Sequence, residues 1–215
     1  MEDTINKYPL LDKLNVSRET CLEFKEFMSM VREKNKQINI ISSKTEEEEE
    51  MMNRHIVDTA QIIDFIDLNS SSSSDLGSGA GFPGITVAIM LKNLKKRIKI
   101  KLYEKSYNKA CFLKNISKKL NLDTEIIQKD IFELSEMKTG SIMSRAFKPL
   151  PVILNLVNSN FTNYKNLILF MGKSGEKILE QTLKEWDLVF EKKKSITSKD
   201  SFLLNIKKIK KFKCK

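Results

Sequence analysis

The residues best suited to chemistry lie in one run, Asp75-Leu76-Gly77-Ser78-Gly79-Ala80-Gly81-Phe82-Pro83-Gly84. Alternating glycines let a backbone turn sharply and approach a ligand where any side chain would collide. Pro83 suits the first turn of a helix. The residues before the run read as a short strand, 74–76, and those after it as a helix, 84–94. Such a strand-turn-helix junction sits at the carboxyl edge of a doubly wound sheet, where ligands bind. Gly79 to Gly84 satisfies the dinucleotide pattern G-x-G-x-x-G. Gly77 adds an earlier glycine directly after Asp75 and Leu76, and D-x-G-x-G-x-G is the form typical of S-adenosylmethionine loops. A glycine-rich turn without a ligand is the plainer alternative.

Further candidates follow at the ends of the later strands. Glu104 closes the second candidate strand, where a carboxylate accepts both hydrogen bonds of a ribose diol in either cofactor; a solvated carboxylate among lysines is its alternative. Asp130, Ile131 and Phe132 follow the third strand, at the level of an adenine ring, although Ile131 and Phe132 suit a core equally well. Arg145 ends the fourth strand, and its rigid fork can hold a carboxylate or a phosphate. A structural salt bridge is the competing role. His55 has Asp58 one helical turn away, but no G-x-S-x-G or comparable nucleophile signature accompanies them, so a buried, hydrogen-bonded histidine is expected. Cys21, Cys111 and Cys214 are odd in number and far apart, which leaves neither a disulfide framework nor a C-x-x-C metal knuckle and points to a reducing cytoplasm.

The elements that must position these residues are those of an α/β protein. With 215 residues, 40% of them hydrophobic, the chain suffices for one compact domain and a small appendage. A helix is expected over 17–41, capped by Ser17, with Leu22, Phe24, Phe27, Met28 and Val31 at helical spacing. Thr45 with Glu48 fits a capping box, and Glu46 to Glu50 place negative charge at the positive end of the next helix. Met52, His55, Ile56, Thr59, Ile62, Ile63 and Ile66 give that helix an inward stripe, with Arg54 and Asp58 at its edge. After a polar loop from Asn69 into the serine run, strands are expected at 74–76, 99–103, 124–128, 141–144, 167–170, 188–191 and 202–209. Helices at 84–94, 107–120, 150–157 and 174–183 separate the first five. Seven strands so arranged imply a mostly parallel sheet covered on both faces and closed by a late strand pair. The division is read as an N-terminal helical cap, 1–53, and a Rossmann-like domain, 54–215.

Lysine and arginine outnumber aspartate and glutamate 38 to 28, a net charge of +10. Such a surface attracts polyanions, although a chain crowded with Ile, Asn and Lys also follows from A/T-biased coding. Lys95, Lys96, Arg97, Lys99 and Lys101 form one basic stretch; Lys207, Lys208, Lys210, Lys211, Lys213 and Lys215 form another. The N-terminus has no apolar signal core, and no stretch reaches the roughly 18 apolar residues of a spanning helix. Secretion and membrane insertion are therefore not expected.

Taken together, Asn39 to Ser43, Arg54-His55-Ile56-Val57-Asp58-Thr59, the Gly77 to Gly84 loop with its Phe-Pro-Gly ending, and Ser144-Arg145-Ala146-Phe147 resemble the RsmG (glucose-inhibited division protein B) family over roughly 35–209. These are bacterial methyltransferases of small-subunit ribosomal RNA. The resemblance implies a Rossmann-like S-adenosylmethionine-dependent methyltransferase fold and transfer of methyl to N7 of a guanine in the 16S rRNA decoding region, customarily G527. It places cofactor contacts on Gly77, Phe82, Ile131, Phe132 and Arg145, beside Gly79, Gly81 and Glu104 from the pattern of the residues. Three departures stand out. Ser71 to Ser74 replaces the apolar run of the first strand, which is then expected to be short or weakly anchored. Glu104 stands where aspartate is commoner, with a longer reach. Met171-Gly172-Lys173 replaces a Lys-Gly pair, leaving Lys173 two positions later as a candidate substitute.

N7 of guanine already carries a lone pair and loses no proton before attack, so no acid or base is expected; Arg145 is assigned a positioning role. The expected partner is 16S rRNA or the small ribosomal subunit, with no metal and no membrane, and the chain is expected to be monomeric and cytoplasmic. An NAD(P)-binding oxidoreductase using the same glycines, and a non-catalytic basic RNA-binding module, remain the alternatives.

Overall fold

A computed structural model describes residues 9–42 and 48–212. Thr45 of the proposed capping box, Glu46 and Glu47 of the acidic run, and the lysines at 213 and 215 lie outside them. After one helical turn, Pro9–Asp12, helix α1 spans Arg18–Asn35, and Ser17 caps it by accepting from the Thr20 N–H at 3.2 Å. The sequence pattern carried this helix to 41, yet the chain leaves it six residues earlier. Asn35 Oδ1 accepts from the N–H groups of Ile40 and Ile41 at 2.9 and 3.0 Å, folding the following residues back over the helix end. Leu22, read as inward, is 52% exposed, while Cys21, Phe24, Phe27, Met28 and Val31 are buried.

The next helical run, α2, changes character along its length: Glu48–Met51 is α, Met52–Val57 is a π-helix and Asp58–Ala60 is α again. An isolated π turn is uncommon and tends to occur at functional sites. The run ends at Ala60 rather than at Ile66; a short 3-10 turn, Ile63–Phe65, follows, and Ile63 is only partly buried.

Strands β1 (Ser72–Leu76), β2 (Lys99–Tyr103), β3 (Thr124–Ile127), β5 (Ser141–Ser144), β7 (Asn166–Met171), β8 (Trp186–Lys194) and β9 (Phe202–Lys211) form one sheet in the order β3-β2-β1-β5-β7-β9-β8. Counted in chain order, the seven run 3-2-1-4-5-7-6. The first five are parallel, and β9 inserts antiparallel between β7 and β8. Two-residue strands β4 (Met137–Lys138) and β6 (Phe161–Thr162) pair separately, a feature too short for any sequence period to mark. β1 is not weakly anchored: all five residues are buried, and it pairs with both β2 and β5. Small serines fit between the layers, and the ladders on both sides hold the strand with Leu76 as its one apolar side chain.

Helices α3 (Gly84–Asn93) and α4 (Tyr107–Lys119) cover one face, and α5 (Leu150–Asn160) and α6 (Gly175–Thr182) the other. Period-two alternation explains how each strand serves both layers. Ile168 points to the core shared with α3, while Leu167 and Leu169 point to the core shared with α5. α1 packs against α3 and α4, so α3 is buried nearly all round, from Gly84 to Leu91. Among the described residues no helix is long and apolar enough to cross a membrane.

Candidate active site

A cavity of about 570 Å³ opens at the carboxyl edge of the sheet, beside the turn between β1 and α3. Of the residues singled out in the sequence, Gly77, Gly79, Phe82, Glu104, Ile131, Phe132 and Arg145 line it. Gly81 does not. A Cβ there would meet Ile85 Cγ1 at 2.7 Å and Phe27 Cζ at 3.2 Å, and its φ is +100°, so the structure requires glycine for packing against α3 and α1. Gly79 differs: at φ +55° its Cβ direction meets nothing nearer than the Gly77 carbonyl oxygen at 3.8 Å. Gly84 lets α3 sit close to the sheet, since a Cβ would strike Leu102 at 2.2 Å.

Two carboxylates fix the loop. Asp75 Oδ2 accepts from the Gly84 N–H at 3.0 Å. Burial pushes this carboxyl up to about 7; hydrogen bonds from Ser78 and the Gly84 N–H oppose the rise, and nearby Glu104 adds to it. Glu104, only 8% exposed, accepts from the Gly79 N–H at 3.0 Å and from the Ser106 N–H at 2.8 Å. Its longer side chain thus ties the glycine turn to the end of β2 and leaves carboxylate lone pairs at the cavity wall. Beyond β3, Asp130 caps a 3-10 turn, Ile131–Glu133, by accepting from the Phe132 N–H at 3.2 Å. This turn buries Ile131 and exposes the Phe132 ring, whose centroid lies 6.1 Å from that of Phe147.

Arg145 is held from three sides. Its Nη1 donates to His55 Nδ1 at 2.9 Å, its Nη2 donates to the Arg54 carbonyl at 2.7 Å, and its Nε lies 3.3 Å from Asp58 Oδ2. The π turn makes this convergence possible by bringing a carbonyl, a ring nitrogen and a carboxylate of α2 to one guanidinium. Because arginine only donates, His55 Nδ1 is the acceptor and the imidazole is the neutral Nε2–H tautomer. Burial and the charges of Arg145 and Arg54 depress its pKa to about 4. The His55 ring also stacks on Phe82, centroids 4.8 Å apart. The expected hydrogen-bonded histidine is therefore present, half-buried rather than fully buried, and it supports Arg145 directly.

Asp58 extends the cluster further than the sequence indicated. Its Oδ1 accepts from Ser195 Oγ at 3.1 Å, Thr197 Oγ1 at 2.9 Å and Gln61 Nε2 at 3.0 Å, which binds the loop between β8 and β9 to α2. On that side lies a second cavity of about 530 Å³, lined by Arg54, Phe170, Ser195, Thr197 and Ser198. His55, Arg145 and Ala146 belong to both cavities. Lys173 is exposed and lines neither. Among the described residues no group of His, Cys, Asp or Glu could hold a metal ion.

The residues fit S-adenosylmethionine. The volume lies in the roughly 300–1,000 Å³ range of ligand pockets. Gly79 leaves open the space that a Cβ would fill, Glu104 faces the cavity with acceptor capacity, and Phe132 with Phe147 offers a flat apolar wall. The inserted antiparallel strand departs from the 3-2-1-4-5-6 order of dinucleotide-binding sheets.

Comparison with known proteins agrees with this geometry. A structure described as a SAM dependent methyltransferase from Aquifex aeolicus superposes with a TM-score of 0.56 at 14% identity, covering 81% of this chain and 97% of that one. The 16S rRNA methylase RmtB superposes at 0.53 and 12% identity, covering 85% and 74%. At these identities the likeness is one of fold. Relatives in sequence are nearer. The ribosomal RNA small subunit methyltransferase G of Pelagibacter ubique (strain HTCC1062) is 59% identical over 98% of this chain and 99% of its own. That of Orientia tsutsugamushi (strain Ikeda) is 33% identical over 90% and 93%. Residues 20–206 match the family model described as rRNA small subunit methyltransferase G, and the chain belongs to that family.

Proposed function

We propose that this chain, by its family an S-adenosylmethionine-dependent methyltransferase of small-subunit ribosomal RNA, methylates N7 of a guanine in the decoding region of 16S rRNA. The observation that carries the reading is the pair of cavities meeting at Arg145, one suited to the cofactor and the other walled by Phe170, Arg54 and hydroxyl groups suited to a base. The cofactor supplies an activated methyl group on a positively charged sulfur. The protein's task is to hold and orient the reactants. Gly79 admits the cofactor to the backbone, Gly77 lines the same wall with the Phe147 ring filling its side-chain space, Glu104 accepts from the ribose, and Ile131 with Phe132 packs on the adenine.

Arg145 is a positioning residue between the two cavities, fixed by His55, the Arg54 carbonyl and Asp58. N7 needs no base to deprotonate it, so catalysis rests on alignment and on surroundings that tolerate positive charge moving from sulfur to the purine. The reading includes a cap over 1–53 and a catalytic domain over 54–215, and a monomer in the cytoplasm. Calorimetry tests the cofactor half: S-adenosylmethionine binds and NADH does not. Methyl-labelled cofactor with 16S rRNA tests the other half, and label that stays off the RNA would reject the reading.

A further inference from the structure

Four lysines line the larger cavity from four different segments of the sheet's carboxyl edge: Lys105 after β2, Lys109 in the first turn of α4, Lys129 after β3 and Lys148 after β5. Lys105, Lys129 and Lys148 are exposed, and Lys109 is half-buried. Little negative charge faces them. Asp130 lies 3.7 Å from the Lys105 ammonium, and the Glu104 carboxylate is already engaged by the amides of Gly79 and Ser106. Lys148 lies over the Phe147 ring, 6.0 Å from its centroid. Together with Arg145, the lysines leave the lining of this cavity strongly positive, with only Glu104 and Asp130 as carboxylates.

This charge sits badly with the ligand. S-adenosylmethionine carries one more positive charge than S-adenosylhomocysteine, the product left after methyl transfer. A lysine ring around the cavity therefore opposes loading of the cofactor more than it opposes retention of the product, unless an anion neutralises the ring. RNA phosphates supply that anion, each binding lysine as a point charge.

We propose that Lys105, Lys109, Lys129 and Lys148 form a phosphate-binding collar across which the RNA backbone lies, so that bound RNA raises the affinity for the cationic cofactor above that for the neutral product. The inference rests on the function proposed above. It makes cofactor and RNA binding reciprocal: S-adenosylmethionine strengthens RNA binding by the same factor by which RNA strengthens cofactor binding. Salt weakens the coupling by screening the collar.

The test is calorimetric. S-adenosylmethionine and S-adenosylhomocysteine are each titrated into the full chain, with and without 16S rRNA transcribed with 7-deazaguanosine. That RNA keeps every phosphate but lacks the attacking nitrogen, so no turnover disturbs the binding heats. At low salt, RNA is expected to raise affinity for the cofactor relative to the product by roughly threefold or more. Replacing the four collar lysines with glutamine should tighten the cofactor by a similar factor without RNA, leave the product unchanged, and abolish the effect of RNA. Arginine at the same positions should preserve the preference. Glutamine at Lys207, Lys208, Lys210 and Lys211, which removes equal charge elsewhere, should leave the ratio unaltered. Should the fourfold glutamine variant fail to fold by circular dichroism, Lys129→Gln and Lys148→Gln singly should each show part of the change. Equal effects of RNA on both ligands, or a ratio indifferent to the collar, would overturn the proposal. Methyl transfer by the parent to ordinary 16S rRNA separates the two ideas: its absence rejects the function, whereas transfer without the preference rejects the collar alone.

Discussion

The glycine turn and the Arg145 cluster line the same cavity but are built by opposite means. The turn uses ten consecutive residues, Asp75 to Gly84, closed on themselves by the Gly84 N–H and Asp75 carboxylate and tied to the end of the next strand through Glu104. The cluster gathers Arg54, His55 and Asp58 from α2, Arg145 from the end of β5, and Ser195 and Thr197 from the loop after β8. Space left by absent side chains shapes the first; charge and hydrogen bonding between distant segments shape the second. Damage to the turn should therefore act on what fits, and damage to the cluster on where things sit.

The largest effect is expected within the turn. Gly79→Val places a branched side chain into open cavity and should weaken S-adenosylmethionine binding at least about 100-fold, while stability falls only by the roughly 1–2 kcal/mol of left-handed backbone strain. Gly81→Val meets Ile85 and Phe27 instead, and should cost about 2–4 kcal/mol of stability. Calorimetry and urea unfolding on both variants distinguish them; similar losses in both measurements would erase the distinction between admission and packing. Arg145→Lys comes next. It keeps the charge but cannot hold His55 Nδ1, the Arg54 carbonyl and Asp58 together, so methyl transfer should fall at least about tenfold while the melting temperature drops by only a few degrees. A large drop in melting temperature would make the cluster a scaffold first.

Acidity separates the regions more finely. His55 takes a proton near 6.5 when unfolded and near 4 when folded, so its contribution to stability is complete above pH 6.5 and drains as the pH falls toward 4. Asp75 behaves in the reverse sense: with its pKa raised from 3.8 to about 7, its contribution is complete below pH 3.8 and is lost as the pH rises through 7. Each slope is at most about 1.4 kcal/mol per pH unit. The two contributions oppose each other over nearly the same window, so in urea midpoints measured between about pH 4 and 6.5, His55→Gln should remove a gain of stability with rising pH and Asp75→Asn should remove a loss. Identical profiles in the two variants would contradict the assignment. The smallest effect belongs to the hairpin: if Lys207, Lys208, Lys210 and Lys211 touch phosphates, glutamine there should flatten the salt dependence of log RNA affinity by roughly 0.7 to 0.9 for each lysine–phosphate pair removed, leaving free cofactor binding unchanged.

The same contrast explains what could be read from the residues alone. Strands at Lys99–Tyr103 and Ser141–Ser144 have the bounds expected from the sequence, and the glycine turn was legible because its pattern is contiguous. β1 was foreshortened because buried serines look like loop; Asp75-Leu76 leading into Gly77 was the only sign of a central strand. The early end of α1 was written in Asn35, whose amide oxygen collects two backbone N–H groups, but helical periodicity outweighed it. The π turn at Met52–Val57 leaves no periodic trace. His55 and Asp58 were visible as a pair, yet nothing local connects Asp58 with Ser195 and Thr197, which reach it only because the sheet brings the β8–β9 loop over α2.

The most direct test of the central claim treats 16S rRNA with the protein and S-adenosylmethionine, then cleaves it chemically with borohydride and aniline, which break the chain at N7-methylguanine. Mapping the ends by primer extension should give one new stop at a guanine of the decoding region, absent without cofactor and reduced at least about tenfold in Arg145→Lys. Methyl groups recovered on another atom or scattered over many guanines, or full activity in Arg145→Lys, would contradict the account.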